Sequence, residues 1–441
     1  MSFHINRSKN LIKWLEDKGW RQALPNEYSD FSYWDTYKEA DINSKLKVWP
    51  KEGLSIMVDC LWPWHKRLEK LNLTHLSPRT ITDWEKHKLT EKDFKNNKLW
   101  LYKEIFGVHG KGINLLSTYD DYLKIFTTES IPDKIQGPCF MENLKHLYIL
   151  QEGLTNTRLL KGRKFILRVY SLTMGTGETY LYNDCLYYSA IFPVKYDYQD
   201  CYVNKGKGKK KNKVYPLSVK NKKDKIFVPK EQMRKNVHVS HWKSDEEGKY
   251  NIIDNRKMGL LSELPIYRKV MRHIFQNVRE MSLLYKDMIQ EHLDCVEKPF
   301  QFDLHNSYQV WGSDYIVMKD LSVKCLEINA FPNLTHGDPH KGKKGSKKRP
   351  HELRFRKNGF DRDLMRIFGY DLEQKGYEYP TNWVVVNNEQ PLQTLHLQKQ
   401  KRKNLPMDFN PILYNIISHR CSFWILGTVS SNDQISFDFR K

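Results

Sequence analysis

Nowhere in its 441 residues does the sequence run apolar for the ~20 positions needed to cross a bilayer. The stretch from Ile416 to Val429 comes closest, and His419, Arg420 and Cys421 interrupt it. Met1 to Leu11 has no apolar run of the signal-peptide kind. Cysteine is sparse: Cys60, Cys139, Cys185, Cys201, Cys295, Cys325 and Cys421 are odd in number and never spaced as a pair of zinc ligands. A soluble, monomeric protein of a reducing, intracellular compartment is expected, without a membrane partner. Acid is also in deficit. Asp and Glu number 52 against 73 Lys and Arg, giving a net charge of +21 and a pI of about 9.4. Such a surface attracts polyanions over roughly 8 to 10 Å in physiological salt, which admits nucleic acid, acidic protein tails and anionic membranes alike.

What is present is enough to fold. A hydrophobic fraction of 39%, with 13% aromatic and a mean hydropathy of −0.70, describes a globular chain carrying polar insertions. The lysines fall in blocks, 203–225, Lys341 to Lys357 and Lys399 to Lys403, which argues for dedicated docking segments. The first block, dominated by lysine with Gly206 and Gly208, is expected to be a mobile loop that interrupts a domain. Strands are expected at Leu99 to Tyr102, Leu147 to Leu150, Phe165 to Leu172 and Thr179 to Tyr182. Apolar residues at Val270, Ile274, Val278, Met281, Tyr285 and Met288 recur in steps of three and four, predicting a helix from Pro265 to Ile289. The composition shifts place a small N-terminal α/β lobe at 1–98, a central lobe at 99–192, a third at 193–340 and a basic C-terminal extension at 341–441.

Three segments carry candidate chemistry. In Tyr308 to Pro332, a four-residue turn at Lys319 to Ser322 would pair Met318 with Val323, Ile316 with Cys325 and Asp314 with Glu327, and would set Asn329 on the face of Glu327. Carboxylates opposed across a ladder repel unless a cation lies between them, and oxygen donors from Asp, Glu and Asn suit Mg²⁺. In Leu99 to Ile113, a short strand delivers Lys103 ahead of a loop with Gly107, Gly110, Lys111, Gly112 and Ile113. Successive backbone N–H groups there could cradle phosphate, although the lysine precedes the glycines, so it is no Walker loop. In Gly162 to Leu172, Lys164 and Arg168 share one strand face while Phe165, Leu167 and Val169 line the other. Two cations so placed suit a triphosphate or acyl phosphate. Taken singly, the bland readings are a solvated acidic hairpin, a glycine turn and a half-exposed basic strand.

Together these segments resemble the tubulin-tyrosine ligase-like family over Leu99 to Leu334. Its pattern is a lysine before a Gly-rich loop, an Arg-Lys-Phe-x-x-Arg strand, a His-x-Thr-Asn segment, and Gly-x-Asp followed by Glu-x-Asn. Here those read Lys103 with Gly107 to Gly112, Arg163 to Arg168, His238 to His241, Gly312 to Asp314 and Glu327 to Asn329. The resemblance implies an α/β (α+β) ATP-grasp fold with the nucleotide between two lobes. It further implies an amide-forming ligase that uses ATP and Mg²⁺ to join glutamate, glycine or tyrosine to an acidic protein tail. By carry-over, Lys103 and Lys164 contact phosphates, Arg168 faces the reacting phosphoryl group, Asp314, Glu327 and Asn329 hold Mg²⁺, and the adenine hinge falls at Gln151 to Leu154. Tubulin or microtubules and a free amino acid are the implied partners, in a cytoplasmic, cytoskeletal setting, with polyglutamylation among the implied reactions. The chain departs from the pattern at Glu152 and Gly153 of the hinge, at Ile166 in place of aspartate, at His241, and at Asp184 to Tyr188, where an arginine is expected. The competing reading is a catalytically silent protein that keeps the fold and binds microtubules or nucleic acid. His238, His241 and His305 are candidates for proton transfer.

Overall fold

The computed structural model describes residues 1–5, 9–24, 27–32, 44–49, 60–83, 87–105, 112–128, 148–204, 214–217, 225–239, 258–294, 305–330, 332, 359–370 and 382–387. Four short strands open the chain, β1 (Ser2–His4), β2 (Arg21–Gln22), β3 (Ser29–Ser32) and β4 (Ser44–Val48), with helix α1 (Lys9–Glu16) between the first two. Helix α2 (Leu61–Lys70) leads to a four-stranded antiparallel sheet of β5 (Thr80–Ile81), β6 (Leu99–Glu104), β7 (Ile113–Leu116) and β8 (Tyr148–Gly153), ordered β5–β8–β6–β7. Helix α3 (Tyr119–Thr128) follows β7.

The longer strands β9 (Phe165–Met174) and β10 (Thr179–Ser189) belong to a larger, mixed sheet. With β14 (Met258–Leu260), β15 (Ser307–Val317), β16 (Val323–Asn329) and β17 (Trp383–Val385) they extend it to β1–β4 through a parallel contact of β15 with β4. Between β10 and β14 lies a three-stranded sheet, β11 (Cys201–Asn204), β12 (Val214–Pro216) and β13 (Lys225–Val228), followed by α4 (Lys230–His238). Strand β12 crosses the lysine-rich stretch expected to be a loop, because Val214 and Tyr215 pair with Val203 and Tyr202. Residues 205–213 and 218–224 of that stretch lie outside the described residues.

The expected long helix is α5 (Tyr267–Asp294), which starts two residues after Pro265. Its apolar stripe is buried as the spacing predicts, from Val270 and Ile274 to Tyr285 and Met288. It packs on Phe165, Leu167 and Val169 of β9 and Trp311, Tyr315 and Val317 of β15. The Tyr285 ring lies flat on Trp311 with centroids 4.9 Å apart. Each fully buried side chain of this kind contributes on the order of 2 kcal/mol of transfer free energy, so the seam anchors helix to sheet. The opposite face of the larger sheet is covered partly by residues of the expected C-terminal extension: α6 (Phe360–Ile367) packs on Tyr170 and Tyr182, and β17 pairs with β10.

In the smaller sheet, Trp100 and Tyr102 pack with Ile81, Leu116, Tyr122 and Leu150. The other face carries Lys103 and Gln151, and the neighbouring Ile105 and Ile149 join the core shared with α5. Gly153 lets β6 and β8 close up: a Cβ there would sit 2.8 Å from the Leu99 carbonyl oxygen and 2.9 Å from its Cγ. Gly153→Ala is expected to lower stability by roughly 1–3 kcal/mol through this overpacking, read as a drop in the urea midpoint with an unchanged slope.

Candidate active site

The hairpin β15–β16 reaches the expected opposition of Asp314 and Glu327 by a different route. Its turn is one residue shorter than expected: Met318 N–H donates to Ser322 O at 2.8 Å, leaving Lys319, Asp320 and Leu321 as the loop. Leu321 takes the left-handed conformation (φ 75°) that closes such three-residue turns, and Asp320 accepts from the N–H and hydroxyl of Ser322. Tyr315 therefore pairs with Cys325, Ile316 with Lys324 and Val317 with Val323, one step off the expected register. A bulge at Leu326 then takes up the extra residue, and Asp314 faces Glu327, as Gly312 faces Asn329.

On its other side β15 pairs with β9, and Asp314 is there opposite Arg168. Arg168, Asp314 and Glu327 thus form one row across three adjacent strands. Arg168 Nε and Nη2 donate to the two Asp314 carboxylate oxygens at 2.5 and 3.0 Å, a forked ion pair in which Asp314 is only 2% exposed. In the next row Gly312 leaves the space that Arg168 and Pro332 occupy; a Cβ at Gly312 would collide with the Pro332 ring and lie 3.3 Å from Arg168 Cδ. Asn329 donates its amide N–H to Gly312 O at 3.0 Å, which leaves Oδ1 as its donor atom toward an ion.

Lys103 reaches this row from β6. It is buried, and burial lowers its pKa while the nearby Glu327, Asp314 and Cys325 act in the opposite sense. Burial, with Asp314 alongside, pushes the Glu327 carboxyl well above the usual range, while Lys103 and Arg168 oppose that shift. Two acids and two cations are therefore packed together, and burial beside Asp314 disfavours the charged form of Glu327. A cation bound between the acids would favour ionisation of both. Among the described residues no group of three or more His, Cys, Asp or Glu side chains is placed to hold a metal. The donor set is two carboxylates and one amide, which fits Mg²⁺ sharing its shell with phosphate and water better than a cage built from protein alone.

Lys164 is placed elsewhere. It precedes β9, four residues from Arg168 and roughly 13 Å along the strand, and its Nζ donates to Leu154 O at 2.6 Å and His238 Nδ1 at 2.8 Å. Gln151 lies on the Lys103 face of the smaller sheet, three residues before Leu154. Its amide nitrogen donates to Thr80 Oγ1 at 3.2 Å, while its buried Oε1 has no hydrogen-bond partner among the described residues. Gly112 (φ 68°) and Ile113 re-enter β7 opposite Glu104 and Lys103, whereas Gly107, Gly110 and Lys111 lie outside the described residues, as does His241. His305 is exposed just before β15, more than about 20 Å along the strand from Asp314, too far to move a proton there.

Sequence reasoning missed His65, Asp197 and Arg234. His65, on α2, is buried against Gln151 and held neutral, its pKa pushed down to about 3 by burial and by the charge of Lys103. Nothing in Leu61-Trp-Pro-Trp-His65 signals that position. Arg234 and His238 were legible as an i, i+4 pair beside the apolar Met233 and Val237, but Asp197 is brought to them only by the fold.

The sequence pattern of the tubulin-tyrosine ligase family matches residues 37–343, about 70% of the chain. A curated relative from Saccharomyces cerevisiae, named "Probable tubulin--tyrosine ligase PBY1", is 26% identical over 277 residues. That alignment covers 57% of this chain and 32% of the yeast protein, so the chain spans about a third of the length of the relative it matches. With that match running across β6, β9, β15 and β16, and with the Arg168, Asp314 and Glu327 row inside it, the chain belongs to the tubulin-tyrosine ligase family.

Proposed function

We propose that the protein is an ATP-dependent ligase of the ATP-grasp kind, which joins glutamate, glycine or tyrosine through an amide bond to a carboxylate of an acidic protein tail such as that of tubulin. The nucleotide lies between the smaller sheet and the β9–β15–β16 face of the larger one. The observation that carries this reading is the row of Arg168, Asp314 and Glu327 with Lys103 arriving from the opposite sheet. No solvated surface requires four ionisable groups to be packed this closely, whereas a polyphosphate needs opposed cations and a divalent ion in one place.

Asp314, Glu327 and Asn329 would hold Mg²⁺, which supplies charge neutralisation at the phosphates. Lys103 and the guanidinium of Arg168 lie where charge would build on a transferring phosphoryl group. Gln151 offers an unsatisfied amide oxygen, and with Leu154 it would meet the adenine. An acceptor carboxylate attacks the γ-phosphorus, releasing ADP and leaving an acyl phosphate. The amine of the amino acid then attacks the acyl carbon and phosphate departs. Positioning and charge compensation suffice, and no side-chain nucleophile is required. The net charge of +21 favours capture of an acidic tail.

The full chain is to be incubated with Mg-ATP, tubulin and, in separate reactions, labelled glutamate, glycine and tyrosine. One of the three is expected to become covalently attached, with one ADP formed per residue added. Microtubule binding without ADP formation or incorporation of any of the three would replace this reading with that of a silent binding protein.

A further inference from the structure

The Lys164 amine is held by a buried chain of groups that the ligase reaction does not itself require. Asp197 follows the short turn after β10, and Arg234 and His238 lie one helical turn apart on α4, so both face it. Asp197 Oδ2 accepts from His238 Nε2 at 2.7 Å. Its Oδ1 accepts from Arg234 Nε at 3.0 Å and from the backbone N–H of Tyr198 at 3.1 Å. Tyr198 adopts a left-handed φ of 65°, unusual for an aromatic residue, and its ring lies under the Arg234 guanidinium at 4.0 Å. Exposure of the Lys164, Arg234 and His238 side chains is about 5% and that of Asp197 is 11%, so water does not mediate these contacts.

We infer that Asp197 is a positioning residue for the nucleotide site, fixing the His238 tautomer so that Nδ1 accepts a hydrogen bond from Lys164 and aims the remaining Lys164 N–H at the nucleotide. This rests on the proposed nucleotide site. The chemistry follows from the proton count. A neutral imidazole carries one N–H, and a carboxylate at Nε2 draws it to that nitrogen, leaving Nδ1 with its lone pair. Lys164, with three N–H bonds, donates one to Nδ1 and one to Leu154 O, which ties it to the end of the hinge strand β8.

The charges agree with this arrangement. Burial, and then the charge of Lys164, push His238 down to about 4, so it is neutral at physiological pH. Burial lowers Lys164 to about 8, with Asp197 acting to raise it and Arg234 to lower it further. Among the described residues, Asp197, Arg234 and His238 are the ionisable groups that act on Lys164.

The test compares Asp197→Asn with Asp197→Asn/His238→Asn. An asparagine amide at 197 can donate to His238 Nε2, which moves the ring proton to Nδ1 and sets two donors against each other at Lys164. Asparagine at 238 places its amide oxygen near the former Nδ1 position and accepts from Lys164 whatever stands at 197. Amine acetylation of Lys164, mapped by mass spectrometry against pH, reads the relay directly, and titration with ADP reads the nucleotide site. In Asp197→Asn the acetylation midpoint should fall by about one pH unit and ADP binding should weaken about tenfold. The double variant should restore ADP binding and bring the midpoint part of the way back, the remaining shift being the lost charge of Asp197. An unchanged Lys164 midpoint in Asp197→Asn, or a double variant whose midpoint lies no higher than that of Asp197→Asn, overturns the relay. A midpoint that shifts and partly recovers in a protein that binds no ADP supports the relay and overturns the nucleotide reading alone.

Discussion

Glu327→Gln is expected to abolish ATP-dependent amino-acid incorporation, by about three orders of magnitude or more, while the protein stays folded. In the proposed site the carboxylate would be one of two anionic donors to Mg²⁺, and glutamine keeps its shape without its charge. Stability should move the other way. In the folded protein Glu327 holds its proton to higher pH than in the unfolded chain, because of burial and the neighbouring Asp314. The folded state therefore binds more protons between the ordinary glutamate pKa and the raised value, and stability falls as pH climbs through that window. Glutamine has no proton to lose. In the absence of Mg²⁺ the variant should match the wild type at acid pH and exceed it above neutrality, read from urea midpoints across the range. Retained incorporation would remove Glu327 from the metal site, and a variant that destabilises as pH rises would remove the account of its proton.

Much of the site was legible because strands have so few degrees of freedom. Period-two alternation places Lys164, Ile166 and Arg168 apart from Phe165, Leu167 and Val169 whatever the neighbours are, and the structure buries the second set against α5. The hairpin shows where such reasoning is fragile. The turn length was one residue too long, and Asp314 still meets Glu327 only because the bulge at Leu326 compensates. Sequence spacing cannot reveal a bulge, since the extra residue is an ordinary leucine. Contacts between distant segments are less legible still. That β9 would set Arg168 against Asp314, 146 positions away, depends on sheet order, and so does the approach of Asp197 to His238. The departures at Ile166 and Tyr188 look unrelated in the sequence, yet they are cross-strand partners, 7% and 8% exposed. Beside Arg168 this chain has an apolar–aromatic pair where the family pattern has charge.

Arg168→Met should lower stability by roughly 3–5 kcal/mol. The cost does not come from losing an attraction. Asp314 is almost fully buried, and without its forked partner it must either stay charged beside Glu327 with Lys103 as the remaining cation, or take up a proton. Lysine at 168 should recover only part of the loss, because a single ammonium cannot donate along both the Nε and Nη2 directions. Replacing both partners, Arg168→Met with Asp314→Asn, should lie within about 1–2 kcal/mol of the wild type, far less than the sum of the two single losses. Ligase activity should be absent from all of these variants. If the double variant were instead additive, Arg168 and Asp314 would be acting independently and the row across β9, β15 and β16 would not be a single electrostatic unit. Recovery of stability without recovery of activity would separate what the pair does for folding from what it does for a nucleotide.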